Sequence, residues 1–141
     1  MATDIKKVME DYILAWNSHD VTKIVSFFTE DGIYEDVAAE RSSNGKKEIT
    51  AFISTVLLDF PNLKFDLKSV FGSSDWVGTE WIKTGTFSHS NIPAMPPTGK
   101  SFSVHGASIF QLHNGKFSRE SYYMNAMTFL QQLGIMPGKP K

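Results

Sequence analysis

The spacing of hydrophobic residues changes from helical to strand-like along the chain. Residues 3–18 and 46–59 place their apolar side chains along one stripe each and therefore predict two amphipathic helices. Between them, the pattern predicts a short helix over residues 21–28, a turn over residues 29–32 and a short strand over residues 33–37.

Strand spacing dominates after Pro61, which ends the second amphipathic helix. Alternating apolar and polar residues predict strands over residues 63–67 and 100–112. Between them, a turn at residues 72–75 leads into a predicted long strand over residues 76–87. A fourth strand follows the hairpin turn at Asn114-Gly115.

Loops and caps complete the predicted order of elements. Residues 38–44 read as a polar loop, and the proline-containing residues 88–97 cannot pair regularly. Asp20 or Ser18 caps the short second helix, while Asn125 caps a final helix that ends at Gly134; these positions carry typical capping residues.

Helices, then a four-stranded meander, then a terminal helix form an α+β pattern. We expect a strongly curved mixed or antiparallel sheet that wraps around the N-terminal helices. Residues 1–141 form one domain in this interpretation, with a frayed tail at residues 136–141.

The hairpin turn decides which side chains face the interior, and two turns are compatible with the sequence. In a three-residue turn over residues 113–115, Ser108 faces Glu120 and Gly106 faces Tyr122. A two-residue Asn-Gly turn instead places Ser108 opposite Ser121 and Gly106 opposite Tyr123, which separates the four side chains.

Composition narrows the classes of function. With 41% hydrophobic and 21% charged residues and a net charge of −1, the chain is typical of a globular protein and lacks the basic surface of a nucleic-acid binder. No cysteine is present, which excludes disulfides and thiol nucleophiles. The start MATDIKKVMED lacks the apolar stretch of a signal peptide, and no apolar run approaches membrane-spanning length. We therefore expect a cytoplasmic protein with no membrane partner.

Five motifs in order carry a resemblance that runs nearly end to end: AWNSHD, FFTEDGIYED, MPPTGK, HNGKFSRE and FLQQLG. Together they resemble the SnoaL-like polyketide cyclases of the nuclear-transport-factor-two-like superfamily. The resemblance implies a cone-shaped α+β barrel with an apolar pocket inside it and a homodimer formed through the outer face of the sheet. It also implies acid–base chemistry without a cofactor, as in an aldol cyclisation.

The family's catalytic positions carry different residues in this chain. The position of the family's acid–base aspartate falls on Tyr122, and that of its assisting histidine falls on Ser108. Two further pocket positions of the family, a glutamine and an asparagine, fall on Gly106 and Tyr34.

Glu120 and Tyr122 form the main candidate catalytic pair, because residues two apart on a strand face the same way. An apolar pocket raises the pKa of a carboxyl group, and a tyrosine hydroxyl can donate to a developing enolate oxygen. Asp36, on the face of Tyr34, is the third catalytic candidate. The structural alternative pairs Glu120 with a surface lysine and leaves Tyr122 as a core aromatic.

The candidate ligand-binding residues are Trp16, Tyr34, Trp81, Phe102, Gly106, Ser108 and Asn125. Trp81 and Glu80 face opposite ways, so only one of them can face inward. His105 lies on the strand face opposite Gly106, and we expect it to point outward, towards a subunit interface. No histidine pair shares a metal-ligand spacing with a carboxylate, so the sequence predicts no metal site.

Together these features predict a pocket protein that binds a small apolar or aromatic molecule and uses no cofactor. The favoured function is acid–base catalysis on a carbonyl compound, of isomerase, cyclase or dehydratase type. The alternative is a non-catalytic ligand-binding or dimerisation module of the same fold.

Overall fold

Four helices and six strands make up the chain in a computed structural model that describes residues 3–138. The helices are α1 (Ile5–Asn17), α2 (Val21–Val25), α3 (Gly45–Asp59) and α4 (Ala126–Gln132). The strands are β1 (Phe28–Asp36), β2 (Arg41–Asn44), β3 (Lys64–Gly72), β4 (Trp76–Thr86), β5 (Ser101–His113) and β6 (Lys116–Met124).

All six strands belong to one mixed sheet with the order β2-β1-β6-β5-β4-β3. Only β1 and β6 pair in parallel, and every other neighbouring pair is antiparallel. The α+β class is confirmed. The predicted four-stranded meander corresponds to β3–β6, and β1 and β2 extend it to six strands.

Three local predictions around the first strand are wrong. Phe28 begins β1 rather than ending the second helix, because it pairs with Phe117 of β6. Residues 29–32 lie within β1 as an irregular stretch rather than as a turn. The predicted loop over residues 38–44 contains β2, which pairs with β1 at the edge of the sheet.

The helix ends follow the capping residues seen in the sequence. The side chains of Asp20 and Asn125 accept hydrogen bonds of 3.1 Å from backbone amides in the first turns of α2 and α4. Phe60 caps α3 immediately before Pro61. Gly134 follows α4 with a φ of +78°, which glycine adopts without steric cost.

Tyr12 of α1 packs into the centre of the sheet's inner face. Its ring lies 4.9 Å from that of Phe117 and 5.8 Å from that of Phe110, both at nearly right angles. Edge-to-face contacts of this kind add to the stabilisation that burial provides. The α1 helix thereby fixes one wall of the interior.

The β5–β6 hairpin combines a two-residue turn with a bulge. Asn114 and Gly115 both have positive φ, 52° and 76°, as a tight hairpin turn requires. Ser118 is then an extra residue, since the pairing shifts by one between Leu112 and Gln111.

This bulge determines the inward face of β6. Ser108 pairs with Tyr122 and Phe110 pairs with Glu120, so neither predicted set of partners is right. The extra residue nevertheless turns Ser108, Glu120 and Tyr122 to the buried side together.

The end of the chain is predicted to be a frayed tail over residues 136–141. Residues 136–138 form no helix or strand, and residues 139–141 of the predicted tail lie outside the described residues. Within residues 3–138, none of the helices has the length and apolar character needed to cross a membrane. The cytoplasmic location stays a prediction.

Deleting Ser118 should preserve the pairing of Phe110 with Glu120, because it removes only the bulged residue. Deleting Ser121 should instead turn Tyr122 outward. We expect the first deletion to lower the free energy of unfolding by about 1–2 kcal/mol and the second to abolish cooperative unfolding. Urea denaturation followed by circular dichroism measures both, and equal losses would contradict the assignment of the bulge.

Candidate functional site

An apolar cavity of about 280 Å³ lies between the inner face of the sheet, α1, α3 and α4. Its lining residues are Trp16, Tyr34, Asp36, Ala38, Ala39, Phe52, Val56, Phe60, Lys83, Tyr122, Met124, Ala126, Phe129 and Leu130. The apolar stripe of α3 supplies Phe52 and Val56, its C-cap supplies Phe60, and α4 with Met124 closes one side. A molecule of one or two rings is the size that such a cavity accommodates.

Four polar side chains interrupt this apolar wall. Asp36 and Tyr34 come from β1, Tyr122 from β6 and Lys83 from β4. Asp36 lies directly beside Tyr122 in the parallel ladder between β1 and β6. The sheet therefore places a carboxylate, a hydroxyl group and an amine around one space.

Lys83 donates a hydrogen bond of 3.0 Å from Nζ to the hydroxyl oxygen of Tyr122. The same hydroxyl group is 3.4 Å from Sδ of Met124, which is a weak acceptor for its proton. A ligand oxygen in the cavity is a better acceptor than this sulfur. The pair is thus arranged to donate a hydrogen bond, reinforced by the lysine charge, to an oxygen atom of a bound molecule.

Burial lowers the pKa of Lys83 from 10.5 to about 8, although the charges of Asp36 and Glu120 oppose the shift. Within residues 3–138, no carboxylate forms a salt bridge with its Nζ atom. Aromatic faces surround it instead, with ring centres 5.1–6.0 Å from Nζ. Cation–π attraction to these rings replaces part of the lost hydration.

The side chain of Asp36, the last residue of β1, is held by the turn that follows the strand. Its Oδ1 atom accepts a hydrogen bond of 3.1 Å from the amide of Ala39. The second carboxylate oxygen has no partner of this kind among the described residues. Because Asp36 lines the cavity, this oxygen can meet a molecule bound there.

Glu120 lies outside this cavity, in a second and much smaller void of about 10 Å³. Trp16 and Tyr34 belong to the walls of both spaces and separate them. The Glu120 carboxylate accepts a hydrogen bond of 2.6 Å from the hydroxyl group of Tyr12. The void is about the size of one water molecule.

Burial raises the pKa of Glu120 from 4.5 to about 7, against the opposing effects of the Tyr12 and Ser108 hydroxyl groups and the Lys83 charge. Burial and the nearby Glu120 charge likewise raise the pKa of Tyr12, which keeps its proton for the hydrogen bond. Glu120 thus changes charge near neutral pH in a closed environment.

Trp81 fills the space beside Gly106. A Cβ atom on Gly106 would lie 2.1 Å from the Cη2 atom of the Trp81 indole, so only glycine fits there while the indole keeps its place. The indole stacks on the Tyr122 ring with centres 5.0 Å apart and donates a hydrogen bond of 3.2 Å to Oγ of Ser108. The space beside Gly106, a predicted ligand-binding residue, is occupied by the protein itself.

The structure divides the candidate residues from the sequence into three groups. Trp16, Tyr34, Asp36 and Tyr122 line the large cavity, and Glu120, Trp81 and Ser108 line the small void. Phe102, Gly106 and Asn125 line neither space. His105 is exposed on the outer face of β5, and Trp81 rather than Glu80 faces inward.

Lys83 and Tyr12 are the main residues that the sequence reasoning missed. Lys83 lies two residues after Trp81 and shares its face, so an inward Trp81 would have identified it. Tyr12 belongs to the predicted stripe of α1, but nothing local indicates its partner 108 residues away.

Residues 3–138 contain no group of three or more histidine, aspartate or glutamate side chains that could hold a metal ion.

Glu120 should make the free energy of unfolding fall as the pH rises towards neutrality. Because its pKa is raised on folding, Glu120 contributes stability that is fully present below about pH 4.5 and is lost as the pH rises through about 7. The free energy of unfolding should fall by roughly 3 kcal/mol over this range. Glu120→Gln should lack this loss. Urea denaturation of both proteins between these pH values measures the difference, with Glu80→Gln on the outer face as the control. Parallel pH curves for wild type and Glu120→Gln would contradict the shift.

Comparisons with known proteins agree with this architecture. The sequence profile of the SnoaL-like polyketide cyclases matches residues 6–133. No curated protein matches the sequence significantly.

Several solved structures share the fold at low sequence identity. AclR from Streptomyces galilaeus, a candidate hydroxylase, superposes with a TM-score of 0.82 at 22% identity, covering 98% of this chain and 85% of AclR. A Catenulispora acidiphila protein with a ketosteroid isomerase-like fold, solved with trimethylamine, gives 0.79 at 17% identity, covering 95% and 98%. A phenazine biosynthesis-related protein from Pseudomonas aeruginosa gives 0.78 at 22% identity, covering 97% and 89%.

These three likenesses establish the fold, whereas the profile match extends over nearly the whole chain. The chain belongs to the SnoaL-like polyketide cyclase family.

Proposed function

We propose that this protein is an enzyme that enolises a small apolar or aromatic carbonyl compound by acid–base chemistry without a cofactor. The observation that carries the proposal is the 3.0 Å hydrogen bond from Lys83 to Tyr122 inside an apolar cavity. Isomerisation, cyclisation and dehydration all pass through such an enolate, so the proposal concerns the shared step.

Tyr122 and Lys83 polarise the carbonyl group of the substrate and stabilise its oxygen atom. Burial raises the pKa of Tyr122, so the hydroxyl group stays protonated and can donate to the carbonyl oxygen of the substrate. As negative charge develops on that oxygen, the adjacent Lys83 ammonium stabilises it in surroundings of low dielectric constant.

Asp36 serves as the base in this proposal and replaces Glu120 in that role. It lies beside Tyr122 across the strands, so a carbonyl oxygen held by Tyr122 brings its α-carbon within the reach of this wall of the cavity. Asp36 removes the α-proton and returns it to another carbon or oxygen atom of the substrate. Glu120 stays behind Tyr34 and Trp16 and does not meet the substrate.

A ligand-binding module without catalysis is the second candidate. It is favoured by the mainly apolar lining of the cavity and by the position of Glu120 outside it. In that case, aryl ketones bind in the cavity but their α-protons do not exchange faster than in buffer.

Exchange of α-protons in deuterium oxide tests the proposed reaction. Wild-type protein should accelerate exchange in acetophenone or benzoylacetone, measured by NMR, and the rate should fall above about pH 8 as Lys83 loses its charge. Asp36→Asn and Tyr122→Phe should each reduce the rate by about 10²-fold or more. Glu35→Gln, on the opposite face of β1, should leave it unchanged. Rates equal to buffer, or unaffected by both variants, would exclude the mechanism.

We also propose a homodimer formed through the outer face of the sheet. This face exposes four large apolar side chains, which are Phe71, Trp76, Ile109 and Tyr123. The Phe71 ring lies over Gly78, which pairs with Ile109, so the apolar surface continues across three strands. Exposed apolar patches of this kind mark interaction sites.

Light scattering after size exclusion tests the dimer. The wild type should elute with twice the 15.8 kDa mass of the chain, and Ile109→Glu should shift it towards the monomer. A charge placed in an apolar interface is costly. Leu58→Glu, at an exposed position of α3, is the matched control. A monomeric wild type, or no shift with Ile109→Glu, would exclude this interface.

A further inference from the structure

Lys83 presents a primary amine to the cavity under conditions that disfavour its charge. The side chain is only 8% exposed, and its Nζ atom has one hydrogen-bonding partner, the neutral hydroxyl group of Tyr122, within the described part of the chain. The rings around Nζ belong to Phe65, Phe102, Tyr122 and Phe129. A salt bridge to a buried carboxylate, the usual way of holding a lysine in its charged form, is absent among residues 3–138.

This environment makes the neutral amine accessible near physiological pH. Burial is the main cause of the lowered pKa of Lys83, which is about 8. A neutral amine carries the lone pair that attacks a carbonyl carbon, whereas an ordinary lysine is almost entirely protonated at pH 7. The nucleophile and the space for an aromatic ring therefore lie in the same cavity.

We propose that Lys83 captures small aromatic aldehydes as an imine in the large cavity. The aromatic ring would pack against the apolar walls formed by Phe52, Phe60 and Phe129, while the aldehyde carbon meets Nζ. This activity uses the cavity of the proposed function, but it does not depend on proton removal by Asp36. It can therefore be true or false independently of enolisation.

The covalent step requires no external oxidant or reductant. The Nζ lone pair forms a bond to the aldehyde carbon, the carbonyl electron pair moves to oxygen, and one amine proton transfers to that oxygen to give a carbinolamine. The carbon–oxygen bond then breaks as the hydroxyl group takes a proton and leaves as water. The nitrogen lone pair closes the double bond and gives the protonated imine. The Tyr122 hydroxyl group, next to Nζ, is placed to supply the proton for water loss and to take it back from the imine nitrogen, which leaves a neutral imine and a neutral tyrosine.

Three ionisable groups facing Lys83 set its response to pH. Asp36 of β1 and Glu120 of β6 favour the ammonium form through their charges, and Tyr122 of β6 stays neutral because burial raises its pKa. Imine formation should therefore increase as the pH rises from 6 towards about 8. Enolate stabilisation by the lysine charge has the opposite dependence.

Reductive trapping with benzaldehyde tests this inference. Sodium cyanoborohydride transfers hydride to the imine carbon and leaves a stable benzyl group on the nitrogen atom. The intact protein is treated at pH 7, digested and mapped by mass spectrometry, with the exposed Lys64 as an internal control. Lys83 should be benzylated at least about tenfold faster than Lys64, since a far larger fraction of it is neutral.

Lys83→Arg keeps a cationic side chain but cannot form an imine, so it should lose this rapid labelling. The wild-type peptide map decides the question even if the variant fails to fold. Benzylation of Lys83 no faster than that of Lys64 would overturn the inference. In that outcome, accelerated α-proton exchange would still support the proposed function, whereas selective labelling without exchange would support imine capture alone.

Discussion

A charged ammonium group cannot enter an apolar interior without compensation, and the site of this protein is built around that constraint. Lys83 is compensated by one neutral hydroxyl group and by aromatic faces rather than by a carboxylate. Its charge is therefore held weakly and remains available to a bound molecule. A salt bridge at the same place would have fixed the charge and cancelled its field in the cavity.

The interior is divided into two spaces with different electrostatic roles. The large cavity holds the lysine–tyrosine pair and Asp36, whereas the small void holds Glu120 under the hydroxyl group of Tyr12. Burial shifts the pKa values of Lys83 and Glu120 towards neutrality, in opposite directions. One chain thus carries two groups that change charge near pH 7–8, and only one of them faces the ligand space.

Much of the fold follows from local sequence, and much of the site does not. Apolar stripes and alternation predicted the main helices, β3 and β5, because those burial patterns repeat within one element. The turns at residues 72–75 and 114–115 predicted β4 and β6, which follow them. The edge strand β2 is polar throughout and gave no such signal. Ser118 resembles any polar residue of a strand, yet its bulge decides which way Glu120 faces. Lys83 shares the strand face of Trp81, but the rings that bury it come from other elements, which no local pattern of β4 reveals.

Gly106 and Trp81 show how the size of this interior can change over evolutionary time. The indole occupies the volume that a side chain on Gly106 would need, so the two positions share one fixed amount of space. A larger residue at position 106 requires a smaller one at position 81. A smaller residue at position 81 alone leaves an opening beside Tyr122. The two positions should therefore covary among related chains. A smaller residue at position 81, with Gly106 retained, offers a route by which this fold can admit larger molecules without rebuilding its backbone.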